Sequence, residues 1–207
     1  HEVTLVDQNR ATYLRLEQMK KPLRLRDLPA DQRVAANMLL RALRQDICTE
    51  KIFLVYQPQF SADGKFVGAE SLLRWNYDED NAIYPPLTIA LAKAGGMLHR
   101  LEQRIFHDAC QTVAILEKLP LDGFEISVNI TGTSLQDPRL ETSLAACVKE
   151  AGILPEHLWV EVTEQDALES SRKVIARLQN LKRKGHRLLI DDFGMGNTSI
   201  IYLRSNL

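Results

Sequence analysis

The sequence predicts an α/β fold built around a mostly parallel sheet. Strand-like and amphipathic helical segments alternate from residue 52 onward, and this order is typical of parallel strands joined by helical crossovers. The first two strands are the exception, because the Asp63-Gly64 turn between them predicts a hairpin. Polar residues lie at the ends of several strands, and this placement favours a barrel over an open sheet.

The first thirty residues are polar, weakly patterned and end near Pro29. We interpret residues 1–30 as a linker or the tail of a preceding domain, and residues 31–207 as the main domain. A helix of about four turns is expected next, with Asp31 as its N-cap residue. Its apolar face is predicted to consist of Val34, Met38, Leu39, Leu43 and Ile47.

Five strands and four further helices follow. β-branched and aromatic residues predict strands over residues 52–57, 66–75, 124–129, 158–163 and 187–191. Apolar residues at helical spacing predict helices from Pro85 to Gly95, from Leu98 to Leu116, from Asp137 to Gly152 and from about Val174 to Gly185. Proline suits the first turn of a helix and glycine its end, so the bounds follow from these residues.

The positions of the polar residues favour a barrel. In an αβ barrel the functional groups come from the carboxyl ends of several strands and meet on one face. Glu70 lies in the second predicted strand, and the polar residues at the ends of the later strands are Asn129, Glu161, Glu164, Asp191 and Asp192. An open dinucleotide-binding sheet would instead carry a glycine-rich turn after its first strand, and no such turn is present, since Gly68 stands alone.

Carboxylates in apolar strands are costly to bury unless a cation compensates them. A structural salt bridge to Arg74 or Arg187 explains any single one of them as well as a functional role does. For four strand ends together, oxygen ligands around a hard cation are the more economical explanation: Mg²⁺ or Mn²⁺, with Ca²⁺ as an inhibiting competitor. The adjacent Asp191 and Asp192 suit two ions, the usual arrangement for hydrolysis of a phosphate ester.

Charge and cysteine usage argue against other classes. The 26 Lys and Arg residues nearly balance the 27 Asp and Glu residues, so we expect no DNA or RNA partner. Three separated cysteines predict buried cytoplasmic thiols, and the histidines are expected at the surface. No apolar run reaches the roughly 20 residues that span a bilayer. Because the chain begins with His1, we expect a piece of a longer protein, in which only an upstream domain would contact a membrane.

Five motifs in order resemble those of the EAL domain family of bacterial cyclic di-GMP phosphodiesterases. They are Gln57-Pro58, Glu70-Ser71-Leu72-Leu73-Arg74-Trp75, Ser127-Val128-Asn129-Ile130-Thr131, Glu161-Val162-Thr163-Glu164 and Asp191-Asp192-Phe193-Gly194. The resemblance covers residues from about 36 to 207. It implies a TIM-like (β/α) barrel whose first strand is antiparallel, and hydrolysis of cyclic di-GMP to linear pGpG with two Mg²⁺ or Mn²⁺ ions.

The resemblance also implies roles for individual residues. By this match the metal ligands are Glu70, Asn129, Glu161, Asp191 and Asp192, of which Glu70, Asp191 and Asp192 are also the expected catalytic residues. Gln57 and Arg74 match residues that contact the dinucleotide, Arg74 through a phosphate oxygen, which suits a planar guanidinium group. Glu164 is expected to support the loop that follows the fifth strand.

The sequence also departs from the family pattern. Ser71 replaces the usual alanine, and strand alternation is expected to point it away from Glu70. Met195 and Asn197 stand in a loop that the family uses for dimer contacts, which bears on the homodimer expected by resemblance. The chain ends at Leu207, before the family's last active-site motifs, so we expect the C-terminal strands of the barrel to be missing from it.

Three functional hypotheses follow. The first is a metal-dependent cyclic di-GMP phosphodiesterase in second-messenger signalling. The second is a catalytically inactive EAL domain that senses cyclic di-GMP or contacts a partner protein. The third is a barrel enzyme that acts on another phosphate ester. Turnover, binding without turnover and no binding of cyclic di-GMP would separate the three.

Overall fold

The computed structural model describes residues 23–78, 81–121, 123–163 and 172–191. Within these residues one sheet has the order β1-β2-β4-β5-β6, and β3 pairs with β2. The strands are β1 (Ile52–Phe60), β2 (Phe66–Asp78), β3 (Asn81–Ile83), β4 (Glu125–Asn129), β5 (Leu158–Thr163) and β6 (Leu188–Asp191). The helices are α1 (Ala30–Asp46), α2 (Pro85–Ala94), α3 (Leu98–Leu116), α4 (Gly132–Gln136), α5 (Leu140–Ala151) and α6 (Arg172–Arg183).

The predicted parallel pairing of the later strands is confirmed, whereas β3, which was not predicted, pairs antiparallel with β2. The pairs β2–β4, β4–β5 and β5–β6 are all parallel. The hairpin between β1 and β2 closes with a backbone hydrogen bond from Ser61 N to Lys65 O at 2.9 Å. Gly64 adopts a φ of 79° in this turn, a left-handed conformation that glycine adopts without steric cost.

The chain divides into two compact units. The first runs to Phe53 and resumes over Leu73–Arg104, and the second holds Leu54–Leu72 and begins again at Ile105. In the first unit, α1 packs against α2, and Trp75 is fully buried. The indole Nε1 of Trp75 donates a 2.9 Å hydrogen bond to Oδ2 of the buried Asp46.

The start and the buried face of α1 differ from the prediction. The helix begins at Ala30 with Pro29 in the cap position, so Asp31 lies in its first turn and is not the N-cap residue. Val34 and Met38 are 61% and 39% exposed, whereas Ala35 and Ala36 are buried. The apolar stripe therefore runs through small residues, which allow close packing where larger side chains were expected.

The second unit contains the parallel strands and the helices that cover them. Its core is formed by alternating strand residues such as Ile126, Val128, Leu158 and Val160. β2 and β4 approach each other closely at Gly68, where an added Cβ would clash with the carbonyl oxygen of Glu125. Glycine at this position therefore allows the two strands to approach in the observed register. In this register Glu70 lies opposite Ser127.

Three expectations about side chains were wrong. His186 is only 3% exposed, because its Nδ1 atom lies 3.2 Å from the carbonyl oxygen of Leu158. His157 is half-buried and lies 2.8 Å from Glu117. Cys48 is exposed, and Nη2 of Arg100 donates to its Sγ atom at 2.9 Å. No described helix is long and apolar enough to cross a membrane.

Candidate functional site

Three of the predicted site residues lie on one face of three neighbouring parallel strands. Glu70 on β2 pairs in register with Ser127 on β4, and Asn129 on β4 pairs with Glu161 on β5. Register partners share a face of the sheet, and so do residues two apart on one strand. Glu70, Asn129 and Glu161 therefore face the same side of the sheet.

Asn129 and Glu70 are in direct contact. Nδ2 of Asn129 donates a 2.9 Å hydrogen bond to Oε1 of Glu70. Glu70 is half-buried, whereas Asn129 is exposed at the end of β4. This bond satisfies one oxygen of the carboxylate with a neutral group, so the negative charge of Glu70 stays available to a cation.

Glu161 is the most deeply buried acidic residue of this group, at 4% exposure. Its backbone carbonyl accepts a 2.8 Å hydrogen bond from Ile130 N, directly after Asn129. This bond holds the end of β4 against β5. Thr131 then caps α4 by accepting a hydrogen bond from Ser134 N at 3.3 Å, which fixes the chain as it leaves the site.

The two arginines considered as salt-bridge partners of the carboxylates, Arg74 and Arg187, make other contacts. Arg74 lies half-buried on β2 in the first unit, and its Nη1 atom donates to the carbonyl oxygen of its neighbour Leu73 at 2.8 Å. Arg187 lies over the ring of Trp159, 5.6 Å from the ring centroid. Both guanidinium groups therefore have described neighbours other than Glu70.

Gln57 is exposed on β1 in the second unit. The residue before it anchors this strand, because Oη of Tyr56 lies 2.7 Å from Oγ1 of Thr112 on α3. Burial raises the pKa of Tyr56, while the hydrogen bond to Thr112 lowers it in part. The phenol therefore serves as a neutral anchor for the strand that carries Gln57.

The remaining predicted residues lie at or beyond the edge of the described chain. The backbone of Asp191 pairs with Thr163 at the end of β6, two residues beyond Glu161 on β5. Asp192, Glu164, Met195 and Asn197 lie outside the described residues. Among the residues that are described, no group of three or more His, Cys, Asp or Glu is placed to hold a metal.

The described donor set nevertheless fits a hard cation. Two carboxylates and one amide supply oxygen ligands on neighbouring strands, and oxygen ligands are those that Mg²⁺ and Mn²⁺ prefer. A buried hydroxyl near them, that of Ser127, has no hydrogen-bond partner within the described part of the chain. The site therefore combines negative charge with unused polar capacity, as a cation site would.

The sequence pattern did not indicate the roles of Ser71 on β2 and Ser127 on β4. Ser71 does point away from Glu70, as predicted, but its Oγ atom donates a 2.6 Å hydrogen bond to the carbonyl oxygen of Ser127. Ser127 itself is 5% exposed. Its position two residues before Asn129 places it on the face of Glu70, so strand alternation is the signal that would have identified it.

Known proteins resemble this chain over most of its length. The sequence profile of the EAL domain matches residues 38–205. An uncharacterized signaling protein of Caulobacter vibrioides is 33% identical over 168 residues, 81% of this chain and 20% of that protein. The bifunctional diguanylate cyclase/cyclic di-GMP phosphodiesterase MucR of Pseudomonas aeruginosa is 31% identical over 171 residues, 80% of this chain and 24% of that protein.

A solved structure gives the same result. The structure described as the PaMucR phosphodiesterase in complex with c-di-GMP has a TM-score of 0.75 at 28% identity, covering 81% of this chain and 68% of that chain. This likeness confirms the predicted fold, a mostly parallel α/β sheet of the TIM-like barrel type. The chain spans 20% and 24% of the length of the two relatives above. With the profile match over residues 38–205, the chain belongs to the EAL domain family.

Proposed function

We propose that this chain belongs to the phosphodiesterase part of a signalling protein, and that the full-length protein hydrolyses cyclic di-GMP to linear pGpG with Mg²⁺ or Mn²⁺. The observation that carries the proposal is the placement of Glu70, Asn129 and Glu161 on one face of three adjacent parallel strands. The relative MucR, named as a cyclic di-GMP phosphodiesterase, supports the reaction. The PaMucR structure, described as a c-di-GMP complex, supports the ligand.

The ligand set follows from the donor chemistry and the family match. Glu70, Asn129 and Glu161 would hold a divalent cation, and Asp191 and Asp192 are proposed to complete a two-ion site. Bound there, the cations would stabilise the negative charge that develops on the phosphate during hydrolysis. Ca²⁺ is proposed to inhibit by occupying the same oxygen ligands, since it takes more ligands at longer distances than Mg²⁺ does.

The chain's own residues would orient the substrate. The guanidinium of Arg74 suits bidentate contact with a phosphate oxygen pair, and Arg74 follows Glu70 by an even step of four residues on β2. Gln57 would contact the dinucleotide from β1, and Glu164 would steady the loop after β5. We propose a homodimer as the working form, as the resemblance implies.

A hydrolysis assay tests the proposal. The full-length protein is incubated with cyclic di-GMP and Mg²⁺, and the products are separated by chromatography. Release of pGpG that depends on Mg²⁺ and stops with Ca²⁺ supports the proposed function. Binding of cyclic di-GMP without pGpG would indicate a sensor domain, and the absence of any binding would point to another phosphate ester as substrate.

A further inference from the structure

Two buried serines lie on opposite faces of the neighbouring strands β2 and β4, and they differ in how their hydroxyl groups are used. Ser71 donates its hydroxyl to the carbonyl oxygen of Ser127 at 2.6 Å. The hydroxyl of Ser127 is fully buried and, among the described residues, has no hydrogen-bond partner. The hydrogen bond to the β4 backbone therefore explains the serine at position 71, whereas the serine at position 127 remains unexplained.

Burying a hydroxyl group without a partner costs free energy, because its hydrogen bonds to water are lost and not replaced. An alanine at 127 would avoid this cost and would fill nearly the same volume. A buried hydroxyl without a partner in a native protein requires an explanation. One explanation is a hydrogen bond that forms only when a ligand is bound.

The face on which Ser127 lies identifies that partner. Ser127 pairs in register with Glu70 on one side and with Trp159 on the other. Asn129 and Glu161 lie one alternation further along β4 and β5. The hydroxyl therefore lies level with Glu70 and one alternation below Asn129 and Glu161, and a serine hydroxyl can donate to a carboxylate oxygen.

We propose that Ser127 is a positioning residue of the candidate cation site, whose hydroxyl donates a hydrogen bond to the carboxylate of Glu70 or of Glu161 when a divalent cation is bound. The proposal deepens the proposed function and rests on it. The hydrogen bond orients the ligands above it, as outer-shell partners of metal ligands commonly do. Among the described residues the Ser127 hydroxyl has no hydrogen-bond partner, so its hydrogen is available to a carboxylate oxygen.

Two matched variants separate this role from a packing role. Ser127→Ala removes the idle hydroxyl, so the metal-free protein should unfold at the same temperature as the wild type or higher. Its affinity for Mn²⁺ should fall by about 2- to 10-fold, the effect of one lost hydrogen bond. Ser71→Ala removes a hydrogen bond that is already made, so it should lower the unfolding temperature and leave the affinity for Mn²⁺ unchanged.

The test titrates Mn²⁺ alone into the full chain, measures bound ion by electron paramagnetic resonance, and records thermal unfolding of each metal-free variant. If the wild type and Ser127→Ala bind Mn²⁺ equally, the inference is overturned while the proposed function stands. If Ser127→Ala unfolds at a lower temperature with unchanged affinity, the hydroxyl is structural and the inference is again overturned. If the wild type binds no Mn²⁺, the cation site fails, and this inference fails with it.

Discussion

The side-chain amide of Asn129 donates a 2.9 Å hydrogen bond to the carboxylate of Glu70, which lies on the neighbouring strand. The bond joins the two residues through the nitrogen of the amide. The N–H hydrogens of an amide carry partial positive charge and repel a cation, whereas the amide oxygen attracts one. Cation binding at Glu70 is therefore expected to turn the amide over, so that Asn129 exchanges a hydrogen bond for a metal contact.

Asn129→Asp should make the protein depend more strongly on divalent cations. The variant places a second carboxylate beside Glu70 and removes the amide donor, so like charges repel when no cation is bound. Thermal unfolding should occur at a lower temperature than in the wild type without cation, and added Mg²⁺ should raise it by more. Gln136→Glu adds the same charge on the exposed end of α4 and serves as the control; an equal response of both variants would contradict the prediction.

Asp46→Leu should destabilise the first compact unit by about 1–3 kcal/mol, because it leaves the buried indole N–H of Trp75 without its acceptor. The bond that is lost measures 2.9 Å. Asp46→Asn keeps an oxygen acceptor at this place and should cost clearly less. Denaturant unfolding of the two variants gives both free energies. Equal losses would show that the charge of Asp46, and not its hydrogen bond to Trp75, is what matters.

Glu141→Ala should cost about 1–3 kcal/mol of stability, because it strands a largely buried guanidinium group. The carboxylate of Glu141 on α5 accepts from Nε of Arg177 at 3.4 Å, from Asn180 at 3.0 Å and from Lys184 at 3.3 Å. Lys184→Ala removes only the most exposed of these donors and should cost less than about 1 kcal/mol. Urea denaturation compares the two variants, and a Lys184→Ala loss as large as that of Glu141→Ala would refute this ranking.

His186 should make the stability of the protein sensitive to acid. Burial lowers the pKa of His186, with the hydrogen bond to Leu158 opposing the shift in part. Between its ordinary value of about 6.5 and the lowered value, the unfolded chain binds more protons than the folded one, so stability falls as the pH falls through this range. The free energy of unfolding should therefore drop as the pH falls below about 6.5, and by less in His186→Gln. An identical drop in both proteins would contradict the assignment.

The sequence predicted the strand order and the site strands well, because both depend on local patterning. The apolar alternation around Ser127 and Asn129, and again around Glu161, is strong enough to fix two strands and their exposed ends. The short β3 was missed, since three residues carry too little pattern to register as a strand. Such elements are held by pairing with β2, which no local signal shows.

Details that depend on packing between elements were predicted less well. Helical spacing alone placed Val34 and Met38 in the core, whereas the structure buries Ala35 and Ala36. Histidine is polar, so His186 was expected at the surface, yet the carbonyl of Leu158 gives it a buried partner. The hydrogen bond of Ser71 likewise depends on where the backbone of β4 lies, and that position follows from the tertiary fold.

The most direct test compares the full-length wild-type protein with its Glu70→Gln variant in Mg²⁺-dependent hydrolysis of cyclic di-GMP. Glutamine keeps the oxygen that accepts the hydrogen bond of Asn129 but removes the negative charge, so the fold should be retained, as thermal unfolding would verify. We expect the wild type to release pGpG and the variant to lose activity by on the order of 100-fold or more. Equal release of pGpG by both proteins, or none by the wild type, would contradict it.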